Sequence, residues 1–176
     1  MANLKGTKTE KNLSAAFAGE SKARNKYTYF AEVARREGHQ YIAQIFEETA
    51  MNEMQHAKDE FRLLGGIGDT AANLKEAMGG EDYETVSMYP EFARQAEEEG
   101  FKDAAILFRQ IARAESSHRD RYRKLLEMLE GGTLYKRENP IQWKCSVCGY
   151  IVEGTEPPRK CPCCQYPREY YGPVCL

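Results

Sequence analysis

Two short segments, Glu53-Met54-Gln55-His56 and Glu115-Ser116-Ser117-His118, decide how this chain is read. On a helix, residues i and i+3 share a face, so each segment presents one carboxylate and one imidazole to the same point. Each also has a carboxylate partner upstream: Glu20 precedes Glu53 by 33 residues, and Glu81 precedes Glu115 by 34. The halves form a crude internal duplication of one Glu followed by Glu-x-x-His.

These residues fall on apolar stripes. Four helices are expected: about Thr9 to Glu37, closed by Gly38; about Gln40 to Leu64, closed by Gly65-Gly66; from Gly79-Gly80 to Gly100; and about Phe101 to Leu129. The first stripe runs Leu13, Phe17, Glu20, Ala23, Tyr27, and the last runs Ala104, Phe108, Ile111, Glu115, His118, Tyr122. Very short turns inside each helix pair and a long connection over Gly65 to Gly80 predict two antiparallel hairpins joined by one crossover, the all-α four-helix ferritin-like arrangement.

A carboxylate buried alone costs many kcal/mol and is normally paired or metal-bound. Glu20, Glu53, Glu81, Glu84 and Glu115 share the inward stripes with His56 and His118, but with too few cations to pair them. The pattern is that of a dinuclear carboxylate site. Glu84 is the weakest member, because a glutamate near a helix start also serves the helix dipole. Tyr27, two turns from Glu20 on the same face, reads equally as a core aromatic or a hydrogen-bond donor. His39 lies off the stripes and reads as structural.

All six cysteines lie at or after Cys145. Cys145-Ser-Val-Cys148 and Cys161-Pro-Cys-Cys164 are two C-x-x-C pairs, the pattern of a tetrahedral four-thiolate site for zinc or a single iron. So small a domain, mostly β and loop, needs such a staple to fold. Cys163 and Cys175 are left as free thiols, which suits a reducing compartment. The expected division is 1–130 for the bundle, 131–142 for a linker and 143–176 for the metal knuckle. With 25 Lys+Arg against 27 Asp+Glu, the chain lacks the basic footprint that nucleic acid demands. No eighteen-residue apolar run and no secretory apolar segment is present, so a cytoplasmic protein without membrane contact is expected.

Taken together, Ala18-Gly-Glu-Ser-Lys-Ala-Arg24, the Glu53/His56 motif, Gly80-Glu-Asp-Tyr-Glu84, Met88-Tyr-Pro90, Ala114-Glu-Ser-Ser-His118 and Trp143-Lys-Cys-Ser-Val-Cys-Gly-Tyr150 closely resemble the rubrerythrin family. The resemblance covers essentially the whole chain. It implies a ferritin-like di-iron bundle fused to a rubredoxin-like domain, with two non-haem irons and one iron in the four-cysteine site. It carries over Glu20, Glu53, His56, Glu81, Glu84, Glu115 and His118 as di-iron ligands, with Glu53 and Glu115 bridging. It further implies that one iron exchanges Glu84 for His56 on reduction, and that Tyr27 and Tyr89 stand just outside the ligands. The implied activity is a peroxidase that reduces hydrogen peroxide to water. Its electrons come from NAD(P)H through a reductase or rubredoxin, in a head-to-tail homodimer or larger homo-oligomer. Rival readings are a ferritin-type iron store and a non-catalytic carrier or peroxide sensor. One departure stands out: Gln165 replaces the glycine usual after the fourth cysteine ligand, so an altered second knuckle with a shifted potential is expected.

Overall fold

The computed structural model describes residues 4–174. Cys175 therefore lies outside the described residues. Helix α1 (Lys8–Arg36) starts at an N-cap, where the Thr7 hydroxyl accepts from the Glu10 N–H at 3.1 Å. It ends where Gly38 takes the left-handed conformation, φ +85°. Helix α2 (Gln40–Leu63) follows after a three-residue turn. Their shared seam is made of alanine: Ala31, Ala34, Ala43, Ala50 and Ala57 are the buried apolar residues of the hairpin. On α2 the seam recurs every seven residues, at 43, 50 and 57, the period that keeps one face against a neighbour.

The chain divides into two compact units, Met1–Gly68 and Asp69–Leu176. The second opens with α3 (Thr70–Tyr83), a π-helical segment (Glu84–Met88), α4 (Tyr89–Glu98) and α5 (Lys102–Glu130). Contrary to the sequence expectation, the third helix does not start after Gly79-Gly80. It starts some ten residues earlier, at Thr70, where the Asp69 carboxylate accepts from the Ala72 N–H at 2.8 Å. The long connection over Gly65 to Gly80 shrinks to residues 64–69. The two glycines lie inside a helix, at about 1 kcal/mol each relative to alanine.

The π segment has a local cause. Pro90 has no N–H, and its ring would clash with the carbonyl of residue 86 in a regular α-helix. The chain widens by one residue instead, and the Tyr89 N–H bonds to the Glu84 carbonyl, five residues back.

That widening exposes how close the internal duplication is. Tyr27/Tyr89, Phe30/Phe92, Ala31/Ala93, Ala34/Ala96, Gly38/Gly100, Ala43/Ala105, Phe46/Phe108, Glu53/Glu115 and His56/His118 all differ by 62. The conformations follow: Gly38 and Gly100 both have φ +85°, and the Tyr27–Phe46 and Tyr89–Phe108 centroids stand 6.1 and 6.0 Å apart. Ahead of the π segment the offset falls to 61, as Glu20/Glu81 shows. The 33- and 34-residue spacings therefore differ by the one residue that the π turn absorbs.

The C-terminal part is a three-stranded antiparallel sheet in the order β2-β1-β3, with β1 at Ile141–Cys145, β2 at Ile151–Gly154 and β3 at Tyr171–Pro173. Its core is Trp143, Cys145, Cys161 and Tyr171. Trp143 is fully buried and donates its indole N–H to the Gly154 carbonyl at 2.9 Å, while the Arg137 guanidinium lies 5.2 Å from its ring centroid. Arg137 also donates its backbone N–H to the Thr155 carbonyl at 2.9 Å, so the expected linker is pinned to the knuckle it leads into.

Candidate metal centres

Glu20 on α1 meets Glu53 and His56 on α2, and their ligand atoms lie within 4.8 Å of one another. The His56 Nδ1 is 2.8 Å from the Glu53 carboxylate and 3.9 Å from that of Glu20. The second unit repeats the cluster: Glu81 on α3 meets Glu115 and His118 on α5, with His118 Nδ1 at 2.6 Å from Glu115 and 3.8 Å from Glu81.

The charges in each cluster oppose one another. The Glu20 carboxyl is pushed up from its ordinary value by its hydrogen bond with Glu53, then by burial and by the Glu53 charge. The Glu81 carboxyl is pushed up by burial first, then by its hydrogen bond with Glu115 and that group's charge. Among the described residues, no Lys or Arg ion-pairs with any of these four carboxylates. Two carboxylates and an imidazole converging without a counter-cation form an oxygen- and nitrogen-donor set that fits a divalent or trivalent first-row ion.

The other expected residues are placed less directly. Glu84 opens the π segment, one turn beyond Glu81, and contributes to the charge around both Glu81 and Tyr89. The Tyr89 phenol is pushed up by burial, then by the charges of Glu84, Glu115 and Glu81. Tyr27 packs between Phe30 and Phe46, with ring centroids at 6.3 and 6.1 Å. His39 stands at the N-terminal boundary of α2, away from the clusters.

The four cysteines Cys145, Cys148, Cys161 and Cys164 also lie with their sulfurs within 4.8 Å. Two of the edges are 3.7 Å (Cys145–Cys164) and 3.6 Å (Cys148–Cys161). A tetrahedron of metal–sulfur bonds near 2.3 Å has edges of ~3.8 Å, so these thiols are spaced to hold one ion. Two matching turns build the site. The Cys145 N–H bonds to the Tyr150 carbonyl and the Gly149 N–H to the Cys145 carbonyl; in parallel, the Cys161 N–H bonds to Tyr166 and the Gln165 N–H to Cys161.

Gln165 adopts φ +64° beside the +78° of Gly149. The altered knuckle expected from Gln165 is thus not found. The left-handed backbone is kept by a non-glycine residue, whose side-chain amide donates to the Pro162 carbonyl at 3.3 Å. Burial works to raise the Cys161 thiol. The Tyr171 hydroxyl, the N–H groups of Cys164 and Cys163 and the Cys148 sulfur outweigh it, leaving the thiol at about 6. The Cys148 thiol ends raised: the Tyr150 N–H favours its thiolate, but burial and the neighbouring sulfurs prevail.

Comparison with known proteins agrees with this donor inventory. The rubrerythrin family model matches residues 11–126, and the model of the rubrerythrin rubredoxin-like domain matches residues 143–172. The chain belongs to the rubrerythrin family. It is 46% identical to the rubrerythrin of Porphyromonas gingivalis over 98% of this chain and 92% of that protein. It is 44% identical to that of Clostridium perfringens, over 97% and 96% of the two chains. Identity to the rubrerythrin of Nitratidesulfovibrio vulgaris is 42%, again over 97% and 96%. As a rubrerythrin, the chain combines a di-iron protein with a rubredoxin-like four-cysteine domain, and the Glu/His clusters and the cysteine cluster are the groups that would hold those metals. No helix among the described residues is long and apolar enough to cross a membrane.

Sequence reasoning missed Tyr171, whose side chain is buried against the cysteine cluster. Its signal was positional only: it stands a few residues past the last ligand, in the strand that pairs with Cys145.

Proposed function

We propose that this rubrerythrin is a non-haem di-iron peroxidase that converts hydrogen peroxide, two electrons and two protons into two waters. The observation that supports it most is the duplicated Glu, Glu-x-x-His cluster carried on the same chain as a one-metal four-cysteine site. Glu20, Glu53 and His56 would hold one iron and Glu81, Glu115 and His118 the other, with Glu84 as a further ligand. When bound, the iron pair supplies the two electrons that reduce the O–O bond, and the thiolate-bound iron supplies electrons one at a time.

The chain's own groups manage charge and protons. His56 and His118 each hold Nδ1 beside the glutamate three residues earlier, so imidazole and carboxylate face one point. Tyr89 keeps its phenolic proton at neutral pH, because burial and three nearby carboxylates disfavour the phenolate. It can therefore donate a hydrogen bond into the acidic cluster. Tyr27 is the corresponding residue of the first repeat, held by aromatic packing.

Electrons are proposed to come from NAD(P)H through a reductase or a rubredoxin, in a cytoplasmic, reducing setting. The domains are proposed as 1–130, 131–142 and 143–176. A homodimer is proposed because the hairpin buries only alanines while Phe30, Ile42, Ile45 and Met54 are exposed. An apolar face this large normally has a partner.

The test is anaerobic reduction of iron-loaded protein followed by one equivalent of hydrogen peroxide. Consumption of the peroxide with return of the ferric thiolate colour supports the reading. Unreacted peroxide with a fully iron-loaded protein overturns it. Glu84→Ala is expected to retain metal but lose about 10- to 100-fold in peroxide turnover. Wild-type turnover would remove Glu84 from the mechanism.

A further inference from the structure

Tyr171 is 4% exposed, and its hydroxyl oxygen is sealed from solvent with no hydrogen-bond partner of good geometry. A hydroxyl buried in this way normally has a partner, since leaving it unpaired is costly. Tyr171 starts β3 and pairs across the sheet with Cys145, and its side chain joins Trp143, Cys145 and Cys161 in the knuckle core. Its side chain packs in that core with Cys145 and Cys161, both fully buried, and of the cysteines it is Cys161 that most disfavours its phenolate.

We infer that the Tyr171 hydroxyl donates to the Cys161 sulfur when that sulfur is a metal-bound thiolate, and so raises the reduction potential of the iron held by the four cysteines. A thiolate carries more negative charge on ferrous than on ferric iron. A donor aimed at it therefore stabilises the reduced state, one of the recognised levers on such sites. The N–H groups of Cys164 and Cys163 also favour the Cys161 thiolate, and the phenol adds to them. For the Cys148 and Cys164 thiolates, the favouring N–H is that of Tyr150 and Tyr166 respectively. The extra bond makes the two knuckles electronically unequal although their backbones match. Tyr171 is a positioning and tuning residue, not a catalytic one.

The inference rests on iron in the four-cysteine site and not on the peroxidase reading, so the two can fail separately. Tyr171→Phe removes only the hydroxyl. Equilibrated with a redox mediator, the iron-loaded variant should show a ferric-to-ferrous ratio about three- to tenfold above wild type at the same poise, the range one hydrogen bond's net worth spans. That corresponds to a potential lower by ~30 to ~60 mV for a one-electron couple. Tyr170→Phe, which alters an exposed neighbour, should leave the ratio unchanged. If Tyr171→Phe holds iron poorly, the zinc-loaded wild type gives the second measurement: a slowly exchanging Tyr171 hydroxyl proton by NMR. An unchanged potential with full iron content, or a fast-exchanging hydroxyl in the zinc form, overturns the inference.

Discussion

Substituting Ala50→Leu should open the first Glu/His cluster while leaving the other two metal sites alone. Ala50 is buried on α2, one turn before Glu53, in a seam that repeats at Ala43 and Ala57. Packed helices run 8–10 Å apart according to the side chains between them, and alanine belongs at the close end. A leucine adds three carbons at a site with no room for them, at about 1–3 kcal/mol. That is roughly a 5- to 150-fold loss in the folding equilibrium. If the helices relieve the clash by moving apart, they separate by up to ~2 Å. The Glu20, Glu53 and His56 donor atoms now lie within 4.8 Å. Donors sharing one ion can stand no more than ~4.4 Å apart, twice a metal–oxygen bond of ~2.2 Å. Side-chain adjustment closes the present gap but not one ~2 Å wider. Reconstitution with ferrous iron, followed by metal analysis and circular dichroism melts, should therefore show one ion fewer per chain with the iron–thiolate colour intact. Ala50→Gly is the control: it costs about 1 kcal/mol in helix propensity but adds no width, and should keep the ion. Full metal content in Ala50→Leu would mean that helix spacing does not set the cluster.

Four other substitutions probe three separate features. A Cβ at Gly66 would stand 2.1 Å from Phe61 Cε2, a ring stacked on Phe17 at 4.8 Å, so Gly66→Ala should cost about 1–3 kcal/mol in thermal unfolding; a neutral result would show that the stack can move freely. Left-handed backbone costs a non-glycine residue about 1–2 kcal/mol, partly offset by glycine's greater freedom when unfolded, so Gln165→Gly should stabilise the knuckle by up to about 1 kcal/mol. Gly149→Ala, with nothing within 4 Å of its new Cβ, should lose a similar amount, and denaturant unfolding followed by the thiolate band reads both. The Arg109 guanidinium, 2.7 Å from Glu97, holds that carboxyl below its ordinary value of 4.5; the pair's contribution is present above that pH and is lost as pH falls through the lowered value. Glu97→Gln should flatten that acid limb, and an unchanged pH profile of melting would discount the pair.

Much of the site could be read in the sequence because its chemistry conflicts with the helix pattern that carries it. Glutamates and histidines on an apolar stripe are anomalies that periodicity exposes, and two C-x-x-C pairs need no context. The start of α3 was hidden for a physical reason. Gly79-Gly80 reads as a helix break, yet two glycines cost a helix only about 2 kcal/mol, which packing against α5 can repay. The Asp69 cap, with its side chain on the Ala72 N–H, was the countervailing signal. Gln165 misled differently: residue type gives the strain of a left-handed position, but the surrounding turn decides whether the strain is borne. Tyr171 carried only its position after the last cysteine, because an orphaned hydroxyl is visible only once burial is known.

The one-residue difference between the repeats connects fold to chemistry. Over most of their length the two hairpins are related by an offset of 62, down to matching glycine conformations and aromatic contacts. Salt bridges keep position while reversing sign, with Arg35–Glu47 answered by Glu97–Arg109. Such a repeat would supply two equivalent Glu, Glu-x-x-His sets and no more. The π segment breaks the equivalence where it matters: it begins at Glu84, between Glu81 and Tyr89, and residue 22 or 23 of the first repeat, Lys22 or Ala23, offers no carboxylate there. π turns are tolerated mostly at functional sites, because they sacrifice regular i→i−4 bonds. Here the cost accompanies an additional acid and a phenol whose proton is held by burial and by nearby charge. The duplicated clusters are therefore unequal in their own residues, because only the second has a further carboxylate one turn along its helix and a phenol beside it.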